Sequence, residues 1–441
     1  MIRGSRKREG RDLAGVRDRL IRQGAARWIV VAVLLGIMLT AFVGLAAGQN
    51  VPDARALGVR LAGAPGPNNA ITDVAGVEVG HTTLIEGDGQ LVVGEGPVRT
   101  GVTAILPRGR EAGDSVFAAW FSLNGNGEMT GTTWIEHSGI LEGPIMITNT
   151  HSVGVVRDAV IAWQRDRDPT FLWALPVVAE TYDGSLNDIN GFHVTAEHAF
   201  DALNSARGGL VQQGAVGGGT GMRCHGFKGG IGSASRRVGP YTVGILVQCN
   251  QGARGDLRVA GAPVGDMMPE PTACYADRSI PAEARRSGVP WCQGVQDDAG
   301  GLLDSIPEGA GSIITVLATD APLLPNQIKR LVTRTTMGLA RIGGMGYNGS
   351  GDIFIGFSTA NRRAAAERAE PADLQMLPND RINGLIAASV HATEEAILNA
   401  MLAAETLTGI NGYTVPALPQ DRLREIMTRL NEAIEGNGVE N

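Results

Sequence analysis

Twelve residues constrain this chain more than any others: Gly309-Ala310-Gly311-Ser312-Ile313-Ile314-Thr315-Val316-Leu317-Ala318-Thr319-Asp320. A small Gly-Ala-Gly entry meets a serine that opens a β-branched, apolar run, and such a run predicts a buried strand. A serine heading a central strand has two readings. It is either structural, or it carries chemistry once the Gly311–Ser312 bond is cut. After a cut, Ser312 presents a hydroxyl and a free α-amine on one residue. That amine titrates near ~8, so at neutral pH a fraction is unprotonated and able to activate the neighbouring hydroxyl. Glycine before the serine suits a cut, because strained backbone there meets little steric resistance. The choice between these readings depends on the rest of the chain.

The chain begins with a basic head. Residues 1–48 hold nine basic and three acidic side chains, and an uncharged run from Trp28 reaches Gly48 through Ala46-Ala47. A basic lead, an apolar core and small closing residues predict an export signal. The run is also long enough to span a bilayer, which needs ~20 residues. The expectation is export to the periplasm or exterior with cleavage near Gly48, or retention as a membrane anchor. The head contributes +6 to a formal net charge of −7, which leaves the body at −13. An acidic body lacks the clustered Lys and Arg that phosphate contacts require, so no nucleic-acid partner is expected.

Residues 49–441 read as one α/β domain on packed sheets. Glycine, at 62 of 441 residues, is about twice as frequent as usual and predicts many tight turns. Strands are predicted at Gly101–Leu106, Ser115–Leu123, Pro144–Thr148, Leu175–Thr181, Thr242–Cys249, Ser312–Thr319 and Asp352–Ser358. Helices are predicted at Ser152–Gln164, Val194–Ala206, Asn326–Arg341, Asp380–Thr406 and Gln420–Ile434. In Asp380–Thr406 the residues Ile382, Leu385, Ile386, Val390, Ile397 and Met401 are spaced for one buried face, interrupted by Thr393. The four cysteines are Cys224, Cys249, Cys274 and Cys292. Cys274 and Cys292 lie in a Pro- and Gly-rich stretch, where a bridge would staple a long loop if the protein is exported. Cys249 is expected to pack as a small hydrophobe. No CxxC pair or HExxH spacing occurs, so neither a metal site nor a cofactor is expected.

Several polar clusters exceed what packing needs. Glu180-Thr181-Tyr182-Asp183-Gly184 closes a strand and is followed by Asn187-Asp188-Ile189-Asn190-Gly191, which reads either as an Asx-rich turn or as a cradle for a cationic amine. Asn250 ends a strand, where its amide either caps a turn or donates to a developing oxyanion. Gly217-Gly218-Gly219-Thr220-Gly221 lacks the Gly-Lys-Ser/Thr ending of a phosphate loop, so close backbone packing accounts for it better. Asn348-Gly349-Ser350-Gly351-Asp352 reads either as a turn or as a hydroxyl and carboxylate that orient a nearby amine.

Taken together and in order, these motifs resemble the L-aminopeptidase/D-esterase family, which includes the β-aminopeptidases. The resemblance rests on Gly311-Ser312-Ile313-Ile314, Ala318-Thr319-Asp320-Ala321-Pro322-Leu323 and Asn348-Gly349-Ser350-Gly351-Asp352-Ile353-Phe354. It extends upstream through Asn69-Ala70-Ile71-Thr72-Asp73-Val74-Ala75-Gly76-Val77, Glu180-Thr181-Tyr182-Asp183-Gly184 and Leu246-Val247-Gln248-Cys249-Asn250, covering about residues 60–415. It implies an α-β-β-α sandwich like that of N-terminal-nucleophile hydrolases, with its own strand connectivity. It also implies a precursor that cuts itself before Ser312 into an α chain (to 311) and a β chain (312–441), assembled as a homo-oligomer of αβ units, a tetramer. By position Ser312 matches the nucleophile, Asn250 the oxyanion-hole residue, and Ser350 and Asp352 the pair beside the nucleophile's amine. Glu180 and Tyr182 match residues lining the site, Glu180 facing the free amino group of a short peptide, amide or ester. No histidine, metal or cofactor is required. Two departures stand out: the stretch between Asn250 and Ser312 is longer than the family leads one to expect, with 257–308 inserted, and Asp352 occupies a position where members carry Asp or Glu. The competing readings are an acyltransferase of the related N-acetylornithine type, whose nucleophile is threonine, and a non-catalytic, membrane-tethered binding protein.

Overall fold

The computed structural model describes residues 53–111, 113–292, 298–304, 311–363 and 371–437. The expected export segment lies outside them, as do Gly309 and Ala310. In chain order the strands are β1 (Glu78–Glu86), β2 (Val98–Leu106), β3 (Val116–Gly125), β4 (Ile140–Leu141), β5 (Ile145–Asn149) and β6 (Val177–Thr181). They continue as β7 (Arg223–Cys224), β8 (Phe227–Lys228), β9 (Gly230–Val238), β10 (Tyr241–Asn250) and β11 (Cys274–Tyr275). The last are β12 (Ser312–Thr319), β13 (Gly351–Ser358), β14 (Leu407–Thr408) and β15 (Tyr413–Val415). The α-helices are α1 (Thr132–Ser138), α2 (Val153–Arg167), α3 (Ala196–Ser205), α4 (Pro325–Arg341), α5 (Asn383–Leu402) and α6 (Gln420–Asn437).

Two sheets make the middle of the molecule. One runs β1-β2-β5-β6 and the other β4-β3-β13-β12-β10-β9, with only β5/β6 and β12/β13 parallel within them. Side-chain alternation sorts their residues into layers. Along β12, Ile313 and Leu317 pack with Leu331 of α4 and Ile397 of α5. The alternate residues Ile314, Val316 and Ala318 pack instead with Ile145 and Ile147 of β5 and Ala179 of β6. A third core joins the outer face of the smaller sheet to α2 and α3 through Val102, Met146, Val156 and Leu203. The order is therefore helices, sheet, sheet, helices, as the resemblance implies. Both faces of β12 are apolar, and all eight of its residues are buried.

Helix α5 departs from the one-faced pattern expected of it. From Ala392 to Leu402 it is buried all round, including Glu394 and Glu395. It lies directly on β9, where a Cβ on Gly232 would come within 1.9 Å of Ala396 O. Thr393 Oγ1 is satisfied inside the helix by Ser389 O at 2.7 Å. Glu395 meets Arg236 Nη2 at 2.5 Å with both side chains about 1% exposed, and also bonds Arg55 and Asn69. Removing one partner of a buried pair strands the other charge, at roughly 3–5 kcal/mol. Glu395→Ala is therefore expected to lower stability by about that amount, read from the denaturant midpoint.

Candidate active site

Sheet register assembles the site. Ser312, the first residue of β12, pairs with Asn250, the last of β10, and on its other side with Gly351, the first of β13. Ser312 shares the face of Ile314 and Val316, so its side chain is directed at the smaller sheet. There the end of β6 supplies Glu180, beside Gly127: a Cβ on Gly127 would lie 3.2 Å from both Glu180 Oε1 and Gly351 Cα. Ser312 is 6% exposed and Asn250 8%, so both are nearly withdrawn from water yet reachable.

The Gly311–Ser312 junction is built closely around backbone groups. The Gly351 N–H lies 3.2 Å from Gly311 O and 3.2 Å from Ser312 Oγ, so one donor touches both the junction carbonyl and the hydroxyl beside it. Gly311 has φ +156°, and a Cβ there would come within 1.9 Å of Asn250 O. No other residue fits that approach without moving β10. Gly351 is equally confined, because a Cβ on it would lie 2.4 Å from Asn126 O.

The Asn250 carboxamide is fixed at both ends. Its Oδ1 accepts from Arg223 N at 2.8 Å, and its Nδ2 donates to Tyr182 O at 2.9 Å. That second bond uses one of two Nδ2 hydrogens and leaves the other for a ligand. Ser350 Oγ donates to Asp352 Oδ1 at 2.6 Å, while Asp352 Oδ2 is buried with no hydrogen-bond partner among the described residues. Burial raises the Asp352 pKa, which the Ser350 hydroxyl and the Ile313 backbone partly oppose. Glu180 is buried as well. Burial raises its pKa, against hydrogen bonds from the Thr150 hydroxyl and from Glu128 N, the latter at 2.9 Å. The Tyr182 ring is 48% exposed; the exposed residues His151 and Phe192 stack on each other nearby, His151 lying close enough to act on the Glu180 charge.

The polar cluster after β6 divides between its two readings. Glu180 lies beside Gly127 and the Tyr182 carbonyl accepts from Asn250, whereas Asp183 and Asp188 are turn residues. Asp183 Oδ2 accepts from Asn149 and Asn187, and its full burial pushes its pKa up to about 6. Asp188 Oδ2 bonds Gly94 N and His193 Nε2. The glycine run at 217–219 is a buried turn in which a Cβ on Gly218 would meet Gln248 Oε1 at 2.4 Å, so close packing explains it. One expectation is overturned. Cys249 does not pack as a free hydrophobe but is bridged to Cys224 of the β7–β8 hairpin, with Cα atoms 5.6 Å apart. Cys274 and Cys292 form a second bridge within the stretch 257–308. Sequence reasoning missed the supporting residues Thr150, Glu128, Arg223 and Asn126. Only Asn126 carried a signal, in the turn-like run Asn124-Gly125-Asn126-Gly127. Among the described residues no group of three or more His, Cys, Asp or Glu is placed to hold a metal. A cavity of about 770 Å³ lined by Arg108, Trp163, Arg167 and Trp173 lies at the opposite ends of β3 and β5 and takes no part in this site.

Known proteins share this fold. The L-aminopeptidase D-Ala-esterase/amidase of Ochrobactrum anthropi, described as a variant of the Ntn hydrolase fold and a prototype of the serine aminopeptidases, superposes with a TM-score of 0.74. It is 43% identical, over 86% of this chain and 99% of that one. A β-aminopeptidase of a Burkholderia species gives 0.73 at 43% identity, with the same coverage. Fold and relatives define a hydrolase, a serine aminopeptidase of the N-terminal-nucleophile type. More narrowly, the chain belongs to peptidase family S58, whose model matches residues 69–415. Within reach of that match is the β-peptidyl aminopeptidase BapA of Sphingosinicella microcystinivorans, 52% identical over 402 residues, which are 90% of this chain and 96% of that one.

Proposed function

We propose that the chain cuts itself between Gly311 and Ser312, and that the new N-terminal serine then removes N-terminal residues from short peptides and amides. The observation that carries this reading is the single Gly351 N–H placed 3.2 Å from both Gly311 O and Ser312 Oγ. Ser312 Oγ adds to the Gly311 carbonyl while that N–H stabilises the oxyanion. The C–N bond breaks with protonation of the Ser312 nitrogen, leaving an ester that water hydrolyses to a Gly311 carboxylate. Asp352 Oδ2, buried and without a hydrogen-bond partner among the described residues, is the acceptor for the amine so released.

In the mature enzyme the neutral amine takes the Oγ proton as Ser312 attacks a substrate carbonyl, then returns it to the leaving amine. The free Nδ2 hydrogen of Asn250 stabilises the tetrahedral oxyanion. Water releases the acyl group from Ser312 by the same route. Serine at 312 argues against the acyltransferase reading, and the assembled junction against a binding protein without chemistry. The 52% identity to a β-peptidyl aminopeptidase supports β-aminoacyl groups among the residues removed.

Maturation should yield a β chain of 130 residues, residues 312–441, whose N-terminal sequence reads Ser-Ile-Ile-Thr. Ser312→Ala should run as one band on a denaturing gel. An active preparation with an intact Gly311–Ser312 bond would refute the mechanism.

Glu180 is the anchor for the substrate's free amine. A carboxylate shielded from water binds an ammonium by charge-assisted hydrogen bonds, and loss of one partner is worth roughly 2–5 kcal/mol when the pair is buried. Glu180→Gln should therefore lower kcat/KM for amino-terminal amides about 30-fold or more while leaving self-cleavage intact. N-acetylation of the substrate should cause a similar loss in the wild type. Equal cleavage of acetylated and free amides would exclude amine recognition.

Export is proposed on two supports: the basic and apolar head, and two disulfides in the body. Cell fractionation should place the mature body outside the cytosol. Recovery of that body in the cytosol with free thiols would retire the proposal.

A further inference from the structure

Lys228, in the β7–β8 hairpin, is fully buried, and its ammonium ends among backbone oxygens. Nζ donates to Met222 O at 2.7 Å and Gly229 O at 2.8 Å, with Gly219 O at 3.4 Å. None of the ion pairs formed among the described residues includes it, and burial alone pulls its pKa down to about 7. A stem needed only to fill space would be served by methionine, without a charge to desolvate. The position of its acceptor suggests a different role. Met222 O belongs to the peptide unit whose N–H, on Arg223, donates to Asn250 Oδ1 at 2.8 Å. The Asn250 carboxamide then gives one Nδ2 hydrogen to Tyr182 O at 2.9 Å and has one left for the cleft.

Hydrogen bonds in such a chain reinforce one another. A cation at an amide oxygen draws electron density from that amide's nitrogen and makes its N–H a stronger donor, and the next amide responds in the same way. The hairpin cannot slide under this load. Cys224, next to Arg223, is bridged to Cys249, next to Asn250. Lys228 N also donates to Pro416 O at 2.7 Å, and Arg254 grips the turn through His225 O at 3.0 Å and Gly226 O at 2.6 Å. We infer that Lys228 is a positioning residue for the substrate oxyanion: through the Met222–Arg223 peptide it orients and polarises the Asn250 carboxamide. The inference rests on Asn250 being the oxyanion donor.

A double-mutant cycle on the self-processed protein tests it, with an amino-terminal p-nitroanilide as substrate. Lys228→Met should lower kcat tenfold or more with KM within twofold of wild type, and Lys228→Arg, which keeps charge and donors, should recover most of that loss. Asn250→Ala should lower kcat by about 10²–10³. Adding Lys228→Met to Asn250→Ala should change kcat by less than twofold, because the lysine acts only through the missing amide. Wild-type kcat in Lys228→Met, or a full multiplicative loss in the double variant, would overturn the inference and leave the Asn250 reading standing. Unchanged kcat in Asn250→Ala would instead remove the Asn250 reading itself. If Lys228→Met does not fold, Lys228→Gln, which can keep a bond to Met222 O without the charge, is put through the same cycle. Failure of both to fold would make Lys228 a residue the fold itself requires, and the inference would fall.

Discussion

The antiparallel ladder between β10 and β12 sets Asn250 opposite Ser312, and everything else in the cleft is placed relative to that pair. A slip of one residue would turn Ser312 toward the helices and take it out of the site. Hydrophobicity alone does not prevent the slip, because β12 is apolar on both faces. Polar groups hold the register instead. Gln248 Nε2, buried between the sheets, reaches Thr148 O at 3.1 Å and Thr181 Oγ1 at 2.8 Å. At the far end Thr319 Oγ1 bonds Thr242 O, and Asp320 Oδ1 accepts from Thr242 N. The Thr242 bonds are lost if either strand shifts by one position and the Gln248 bonds if β10 does, and stranded buried groups would cost roughly 1–3 kcal/mol apiece.

Buried carboxylates differ in this protein in whether a cation faces them. Glu395 sits away from the cleft and is paired with two arginines, Arg236 and Arg55, and bonded by Asn69. Glu180 and Asp352 at the cleft are left incomplete. Glu180 has a hydroxyl and one backbone N–H but no cation within an ion pair among the described residues, and Asp352 has one oxygen with no donor. A carboxylate held with unfilled acceptor capacity in a dry place disfavours its own charge, which raises its pKa and strengthens its attraction for an arriving ammonium.

Much of this was legible in the sequence, because the strands that carry the site are apolar runs ended by Gly, Asn or Ser. β12 matches its expected limits, and β3, β5, β6, β10 and β13 lie within three residues of theirs. β9 was invisible: Gly-Ile-Gly-Ser-Ala-Ser-Arg-Arg-Val looks like a polar loop, yet its first seven residues are buried. Its hydroxyls are consumed locally, Ser233 Oγ by Ile245 O and Ser235 Oγ by Asp73, and its glycine admits α5. Cys249 was misread for a related reason. Its strand context is that of a packed hydrophobe, and the partner that changes its chemistry sits on a hairpin of two-residue strands too short to leave a pattern. The supports of Asn250 and Glu180 are mostly backbone groups, which no side-chain pattern encodes.

On the proposed mechanism, two oxyanion donors serve two reactions that share one nucleophile. Before the cut, Gly311 O lies on the Gly351 N–H, while the Gly311 Cα lies against Asn250 O with no room for a side chain. The junction is therefore packed against the Asn250 main chain. Once the bond is broken, the C-terminal carboxylate at Gly311 no longer shares a covalent frame with β12, and the new ammonium beside Asp352 draws the serine nitrogen the other way. On this mechanism precursor and enzyme use the same hydroxyl with different donors, the Gly351 N–H before the cut and the Asn250 carboxamide after it.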